Sequence, residues 1–397
     1  KNYLGVLKMT LIYLDNGATS FPKPEEVYRF MDYFYRHFGV NPGRSGYDLC
    51  LEAGQMVDET RRLLNDFFQV GDPNRVCFGY NSTDALNLAI FGLLEPGDHA
   101  ITTTLEHNSV LRPLYHLSLT GVEIDYVAFD CQGFVDPGEI KKRIKKNTKL
   151  VVINHASNVM GTIQPIKEIG QICKEKGVIF LVDASQSAGK IPVSMKDMNL
   201  DVVAFTGHKS LLGPTGIGGL CVGPEVKIRI TRAGGTGVRS AQKTHLEEYP
   251  WRLEYGTANL LGLSGLNAGI KWILTEGLDK IHEQEMHLTR MLVDGLKEIE
   301  GVTLYCQDNL ARHIGVIPFN VNGLEAQDTG ILLDVDYNIA CRTGLHCAPL
   351  VHEQLGTNKI KGAVRFGIGP FNTENDIKAA IRAVAEVADF QREKGKK

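Results

Sequence analysis

From about residue 75 to 225 the chain alternates short apolar runs, rich in β-branched residues, with stretches whose apolar positions recur at helical spacing. Strands covered on both faces and joined by crossover helices give this pattern, so it predicts a parallel sheet. Segments 100–105, 122–129, 150–155, 178–183, 201–206 and 218–222 read as strands. Segments 82–94, 109–119, 136–146 and 165–176 read as helices, the last two opened by Pro-containing turns that suit a first helical position. The fold class is therefore α/β, a doubly wound core. Beyond residue 260 the texture changes to a long helical stretch over 261–299, short strands at 302–306, 315–320 and 364–367, and helices at 325–333 and 374–392. This reads as a smaller α+β C-terminal domain.

A chain of 397 residues exceeds the roughly 250–300 at which a single core stops growing. The expected division is an N-terminal arm over 1–23, a large domain over 24–260 that opens with helices at 24–38 and 51–68, and a connecting helix with the small domain over 261–397. Residues 1–8 precede Met9 and the first patterned segment, and no part of the fold is expected to depend on them. The Lys-rich end, 394–397, reads as a frayed, solvated tail.

Composition removes several classes of function. A formal net charge of −3 gives no electrostatic reason to expect nucleic acid or an anionic membrane as partner. No apolar run approaches the roughly 18–20 residues of a membrane helix, and residues 1–10 lack a secretory signal pattern, so a cytoplasmic protein is expected. The eight cysteines are scattered, with no Cys-x-x-Cys pair and no compact His/Cys spacing. This argues against a disulfide scaffold and against a metal site. Seven of the eight read as small buried hydrophobes.

The chemistry concentrates in Phe180-Leu-Val-Asp183-Ala-Ser-Gln186 and in Asp201-Val-Val-Ala-Phe-Thr206-Gly-His208-Lys209. Each is a buried strand that delivers polar residues at its carboxyl end, where open α/β sheets place ligands. Asp183 follows an apolar run, and burying a carboxylate there is costly unless it meets a cation. A protonated pyridine nitrogen is such a cation, and Lys209 at the next strand end is an amine able to form a Schiff base with an aldehyde. The pair predicts pyridoxal 5'-phosphate (PLP).

These strings, with Tyr13-Leu-Asp15-Asn-Gly-Ala-Thr19 near the start and Ala363-Val-Arg365-Phe near the end, resemble the class V aminotransferase family over almost the whole chain. The likeness is nearest to its cysteine desulfurases and selenocysteine lyases. It implies PLP fold-type I, a large domain with a mostly parallel mixed sheet plus the small domain, and it implies roles residue by residue. Lys209 would hold PLP, Asp183 would pair with the ring nitrogen, Gln186 would reach the phenolic oxygen and His107 would stack on the ring and exchange a proton with the substrate thiol. Ser82 and Thr83 at a helix start would hold the phosphate, helped by Thr206 and His208, and by Gly256 and Thr257 from the partner subunit of a homodimer. Asn158 and Arg365 would hold the substrate carboxylate, with Arg342 as a further substrate contact.

The distinguishing stretch is Cys341-Arg342-Thr-Gly-Leu-His346-Cys347-Ala-Pro349. A transaminase needs no cysteine there, whereas a desulfurase needs a thiolate to take sulfur from cysteine, or selenium from selenocysteine, and pass it to an acceptor protein. Arg342 and His346 would lower the Cys347 thiol below its free value of about 8.5. Cys341 has no assigned role beyond a buried strand cysteine. Alternatives from the same fold are a transaminase, an epimerase or a sulfinate lyase, and, outside catalysis, a PLP-holding sulfur-relay protein. The Gly-rich stretches 213–219 and 234–240 match neither a P-loop nor a dinucleotide fingerprint and read as turns.

Overall fold

The computed structural model describes residues 11–42, 46–305 and 310–394. Cys306, the segment 1–8 and most of the Lys-rich end lie outside the described residues. In chain order the elements begin with β1 (Ile12–Tyr13), α1 (Glu25–Phe38), α2 (Asp48–Phe68), β2 (Val76–Gly79), α3 (Ser82–Leu93), β3 (His99–Thr103), α4 (Asn108–Ser118) and β4 (Glu123–Val127). They continue through α5 (Pro137–Arg143), β5 (Thr148–Asn154), α6 (Ile166–Lys176), β6 (Ile179–Asp183), β7 (Val202–Thr206) and β8 (Gly218–Val222). The expected helix starts are visible as caps. Asn81 and Asp136 accept backbone N–H groups of α3 and α5, with Pro137 at the first position of α5, and Gly177 ends α6 in the left-handed conformation.

The main sheet has strand order β2-β8-β7-β6-β5-β3-β4. From β7 to β4 all neighbours are parallel, whereas β8 is antiparallel to both β7 and β2. Every residue of β3, β7 and β8 is buried, as expected where helices cover both faces. Val76–Gly79 was not singled out in the sequence. It is a short edge strand held by β8.

The remaining elements are α7 (Leu260–Glu276), α8 (Leu278–Lys297), β9 (Val302–Leu304), β10 (Val316–Val321), α9 (Ala326–Tyr337), β11 (Ile339–Ala340), β12 (Arg342–Gly344), α10 (Pro349–Leu355), β13 (Ala363–Gly367) and α11 (Glu374–Lys394). The single helix expected over 261–299 is two helices. Gly277 separates them at φ +87°, a conformation open to glycine and closed to most residues.

Two compact units result. The larger comprises 22–157 and 163–281, with a core of α3, α4 and strand residues such as Leu86, Ile90, Val110, Leu150, Val152 and Leu181. The smaller comprises 1–21, 158–162 and 282–397. Its four-stranded antiparallel sheet, β12-β13-β10-β9, packs α8 and α11 through Leu292, Leu296, Phe319, Phe366, Ile377 and Val384. β1 pairs in parallel with β11, which fastens the N-terminal segment to this unit. Among the described residues no helix is long and apolar enough to cross a membrane.

Seven cysteines are described and carry free thiols. Cys50, Cys77, Cys173 and Cys221 are buried, as expected, but Cys131 is exposed. It sits in the turn after β4, where Gly133 N–H donates back to the Asp130 carbonyl and no strand holds the side chain inward.

Candidate functional site

Two clusters carry the residues singled out in the sequence. The first lies at the carboxyl edge of the main sheet, in the larger unit. Register places Asp183, the last residue of β6, across from Asn154 of β5 and Ala204 of β7. Asp183 is buried, and its Oδ1 accepts hydrogen bonds from the Ser185 backbone N–H at 2.9 Å and from the Ser185 hydroxyl. Gln186 follows in the same buried turn. Ser185, not singled out beforehand, thus fixes the carboxylate, and its place two residues after Asp183 is the spacing of an Asx turn.

Thr206 closes β7, and its buried hydroxyl has no hydrogen-bond partner among the described residues. The chain then turns tightly through Gly207-His208-Lys209. Gly207 N–H donates to Ile217 O at 2.9 Å, Leu212 N–H to Lys209 O at 2.9 Å and Gly213 N–H to Gly207 O at 2.8 Å. Gly189 presses on this turn so closely that a Cβ there would stand 2.1 Å from the Ser210 carbonyl. Burial, and then the charges of Lys209 and Lys23, push His208 down to about 4, so it is a neutral donor or acceptor at pH 7. Lys23 was also missed. Its ammonium donates to the His208 carbonyl at 2.6 Å, and burial brings it down to about 8.

His107 caps α4. Its Nδ1 accepts the Ser109 backbone N–H at 3.0 Å, so the neutral ring carries its proton on Nε2. Ser109 Oγ meets the same Nδ1 at 2.9 Å and Thr83 Oγ1 at 2.7 Å. A hydroxyl chain therefore joins His107 to the first turn of α3, where Ser82 and Thr83 lie among N–H groups that have no intrahelical partner.

Beside His107, Glu106 is fully buried. Its Oε1 accepts the Thr103 hydroxyl at 2.6 Å and its Oε2 the Asn154 N–H at 3.0 Å. Burial raises it to about 8, against the lowering effect of these hydrogen bonds and with a smaller upward push from the Asp183 charge. In the sequence Glu106 follows Leu105, three residues past the end of β3, with no apolar run before it to mark it as buried.

Gly256 and Thr257 are exposed in the segment before α7. They line a cavity of about 300 Å³ with Phe78, Tyr80, Asp84 and Tyr255, a cavity whose wall does not include Asp183, Gln186 or Lys209.

The second cluster belongs to the smaller unit. Arg365, in β13, is only 2% exposed. One terminal nitrogen pairs with Asp15 at 2.8 Å, the other donates to the Asn158 carbonyl at 3.0 Å, and Nε has no partner among the described residues. The Asn158 side-chain amide donates to the His346 carbonyl at 2.7 Å, so it holds the cysteine loop. On that loop His346 and Cys347 have φ of +51° and +57°. The Arg342 guanidinium reaches the Cys347 sulfur at 3.8 Å.

His346 does not supply the positive charge expected of it. Burial, and then the charges of Arg365, His352 and Arg342, hold its pKa well below the ordinary histidine value, so the ring beside Cys347 is neutral. Arg342 alone of the two is a cation. Cys341 is half-buried between β11 and β12 and packs on the core, and burial pushes its thiol up to about 12.

The family model for aminotransferase class-V matches residues 12–380. A curated relative from Pyrococcus abyssi, named a probable cysteine desulfurase, is 36% identical over 390 residues, covering 96% of this chain and 95% of its own. The solved apo structure of a cysteine desulfurase from Thermococcus onnurineus is 36% identical with a TM-score of 0.89, covering 96% of this chain and 95% of its own. The cysteine desulfurase CsdA of Escherichia coli, solved in an S-sulfonic acid form, is 26% identical with a TM-score of 0.86, again over 96% of this chain and 95% of its own. With a family match across nearly the whole chain and relatives above 30% identity, this protein belongs to the aminotransferase class-V family.

Proposed function

We propose that the protein is a PLP-dependent cysteine desulfurase that converts L-cysteine to L-alanine and keeps the sulfur on Cys347. The observation that carries this reading is the Cys347 sulfur 3.8 Å from the Arg342 guanidinium, on a loop held by the Asn158 amide. The guanidinium faces the sulfur that would attack, where the negative charge of the reacting sulfur would sit.

The sheet-edge residues fit the cofactor. Thr206 offers a buried hydroxyl in need of a partner, α3 offers free N–H groups suited to a phosphate, and Asp183 offers a carboxylate already oriented by Ser185. When bound, PLP supplies an electron sink for charge developing at the substrate carbons. Lys209 would anchor it and carry the Cα proton at Nζ. Gln186 would donate to the ring's phenolic oxygen, and His208, neutral, would help hold the phosphate. His107 would serve the ring face and the substrate thiol through Nε2–H.

Arg365 receives the substrate carboxylate, with Arg342 close enough to the sulfur to hold the developing thiolate. In the transfer step the Cys347 thiolate attacks the substrate sulfur. A new S–S bond forms, the Cβ–S bond breaks with its electron pair left on the carbon skeleton, and protonation of that carbon completes alanine. Homodimerisation, with Gly256 and Thr257 reaching the partner's phosphate, an acceptor protein for the persulfide, and a cytoplasmic location suited to seven free thiols belong to the same proposal.

The test measures alanine release from L-cysteine and L-selenocysteine side by side. Cys347→Ala is expected to lower release from cysteine by about 10²-fold or more, the size of a lost nucleophile. Unchanged release from cysteine would remove the covalent role. Loss with cysteine and retention with selenocysteine would show that selenium leaves without the thiol.

A further inference from the structure

The guanidinium of Arg365 is buried, yet its Nε–H has no partner and Asp15 is its one carboxylate partner among the described residues. A buried cation needs such a counter-charge. Gly17 lies against the same group, and a Cβ there would stand 3.1 Å from Arg365 Cζ and Nη2 and 3.4 Å from Nε. The loop carrying both residues is itself tied to the strand that carries the arginine. Asn16 N–H donates to Gly367 O at 3.2 Å, its side-chain amide donates to Gly367 O at 3.1 Å and to Asn372 Oδ1 at 3.2 Å, and Gly367 N–H donates to Leu14 O at 2.6 Å. Gly367 is two residues beyond Arg365 on β13, so loop and arginine share one frame.

We propose that the Asp15–Gly17 loop is the seat that sets the pose of Arg365, and that Asp15 is a positioning residue for recognition of the substrate's α-carboxylate. This rests on the reading that Arg365 receives that carboxylate. Asp15 holds one terminal nitrogen and the Asn158 carbonyl the other, which leaves the Nε edge as the donor to be satisfied by an incoming anion. Gly17 lets the planar group lie close against the loop, where a Cβ would press on Cζ and Nη2 at 3.1 Å and shift the guanidinium. A carboxylate then meets a preset planar fork rather than a long flexible side chain.

The holoenzyme and its Asp15→Asn, Gly17→Ala and Arg365→Lys variants are titrated with L-alanine and with ethylamine, which lacks the carboxylate, and binding is read from the cofactor's absorbance. The parent is expected to prefer alanine. That preference should fall about tenfold or more in both loop variants, all of it in the affinity for alanine, as for the loss of a charge-assisted bidentate contact. A preference kept in Asp15→Asn and Gly17→Ala but lost in Arg365→Lys overturns the seat and leaves Arg365 in its role. Equal weakening of both ligands, or tighter alanine binding in Asp15→Asn, also overturns it, the latter by making Asp15 a competitor. A parent with no preference removes the role of Arg365 itself, and none of these titrations depends on sulfur transfer.

Discussion

The sheet-edge cluster and the cysteine-loop cluster are built in opposite ways. At the sheet edge Asp183 and Thr206 close parallel strands and Lys209 follows in a hydrogen-bonded turn, so their places follow from strand register. The cysteine loop instead carries two successive non-glycine residues, His346 and Cys347, in the left-handed region. That conformation costs about 1–2 kcal/mol per residue, and it is maintained by contacts to the loop's own backbone, notably the Asn158 amide on His346 O. A cofactor that stays in place suits a rigid edge. The sulfur carrier proposed for Cys347, which would accept cargo and release it, suits a loop whose hold depends on a few replaceable bonds.

The largest expected effect lies on the rigid side. Lys209→Ala should lower alanine formation about 10³-fold or more, because the proposed anchor and proton carrier would be lost together, and steady-state assays of the purified variant check this. A fall no larger than that from Arg342→Met would erase the contrast between the clusters.

Next comes the buried acid beneath the sheet edge. Glu106, about 8 in the folded protein against an ordinary 4.5, stays protonated when folded at pH values where the unfolded chain has lost the proton. Its contribution to stability is full below about 4.5 and is lost as pH rises through about 8. Glu106→Gln removes that loss. Relative to the parent, its stability should improve by on the order of 1–3 kcal/mol between pH 5 and pH 8.5, read from denaturant unfolding at a series of pH values. A constant difference between the two proteins would show that Glu106 is ionised in the fold.

The smallest effect is expected on the loop. Arg342→Met should slow alkylation of Cys347 by iodoacetamide at pH 7 about three- to tenfold, through loss of the guanidinium that reaches its sulfur. Peptide mass mapping isolates this site from exposed Cys131. An unchanged rate would mean that the loop's backbone, rather than Arg342, governs the thiol.

Much of the sheet was legible because strands buried on both faces must be written as continuous apolar, β-branched runs, as in Leu150-Val-Val-Ile153 and Phe180-Leu-Val182. Strands of three or four residues, such as β2 and β12, leave too little pattern to read and form because a longer neighbour pairs with them. The break at Gly277 was hidden because apolar periodicity continues on both sides of it. Ser185 and Ser109 were passed over for a related reason. Each acts through a hydrogen bond to a neighbour that was itself recognised, and a partner of that kind has no spacing of its own.

The sequence by itself determined that Asp183 and Lys209 stand at strand ends and that Cys347 stands in a short turn between Gly344 and Pro349, since local runs and turn residues set these places. Only the tertiary structure decided the charges and partners. His346 became neutral because burial and nearby cations oppose its proton, Glu106 became an acid of about 8 because no water reaches it, and Arg365 met Asp15 across 350 residues of chain. Solvation and through-space charge depend on what surrounds a group once the chain has folded, and neighbours in sequence carry little of that information.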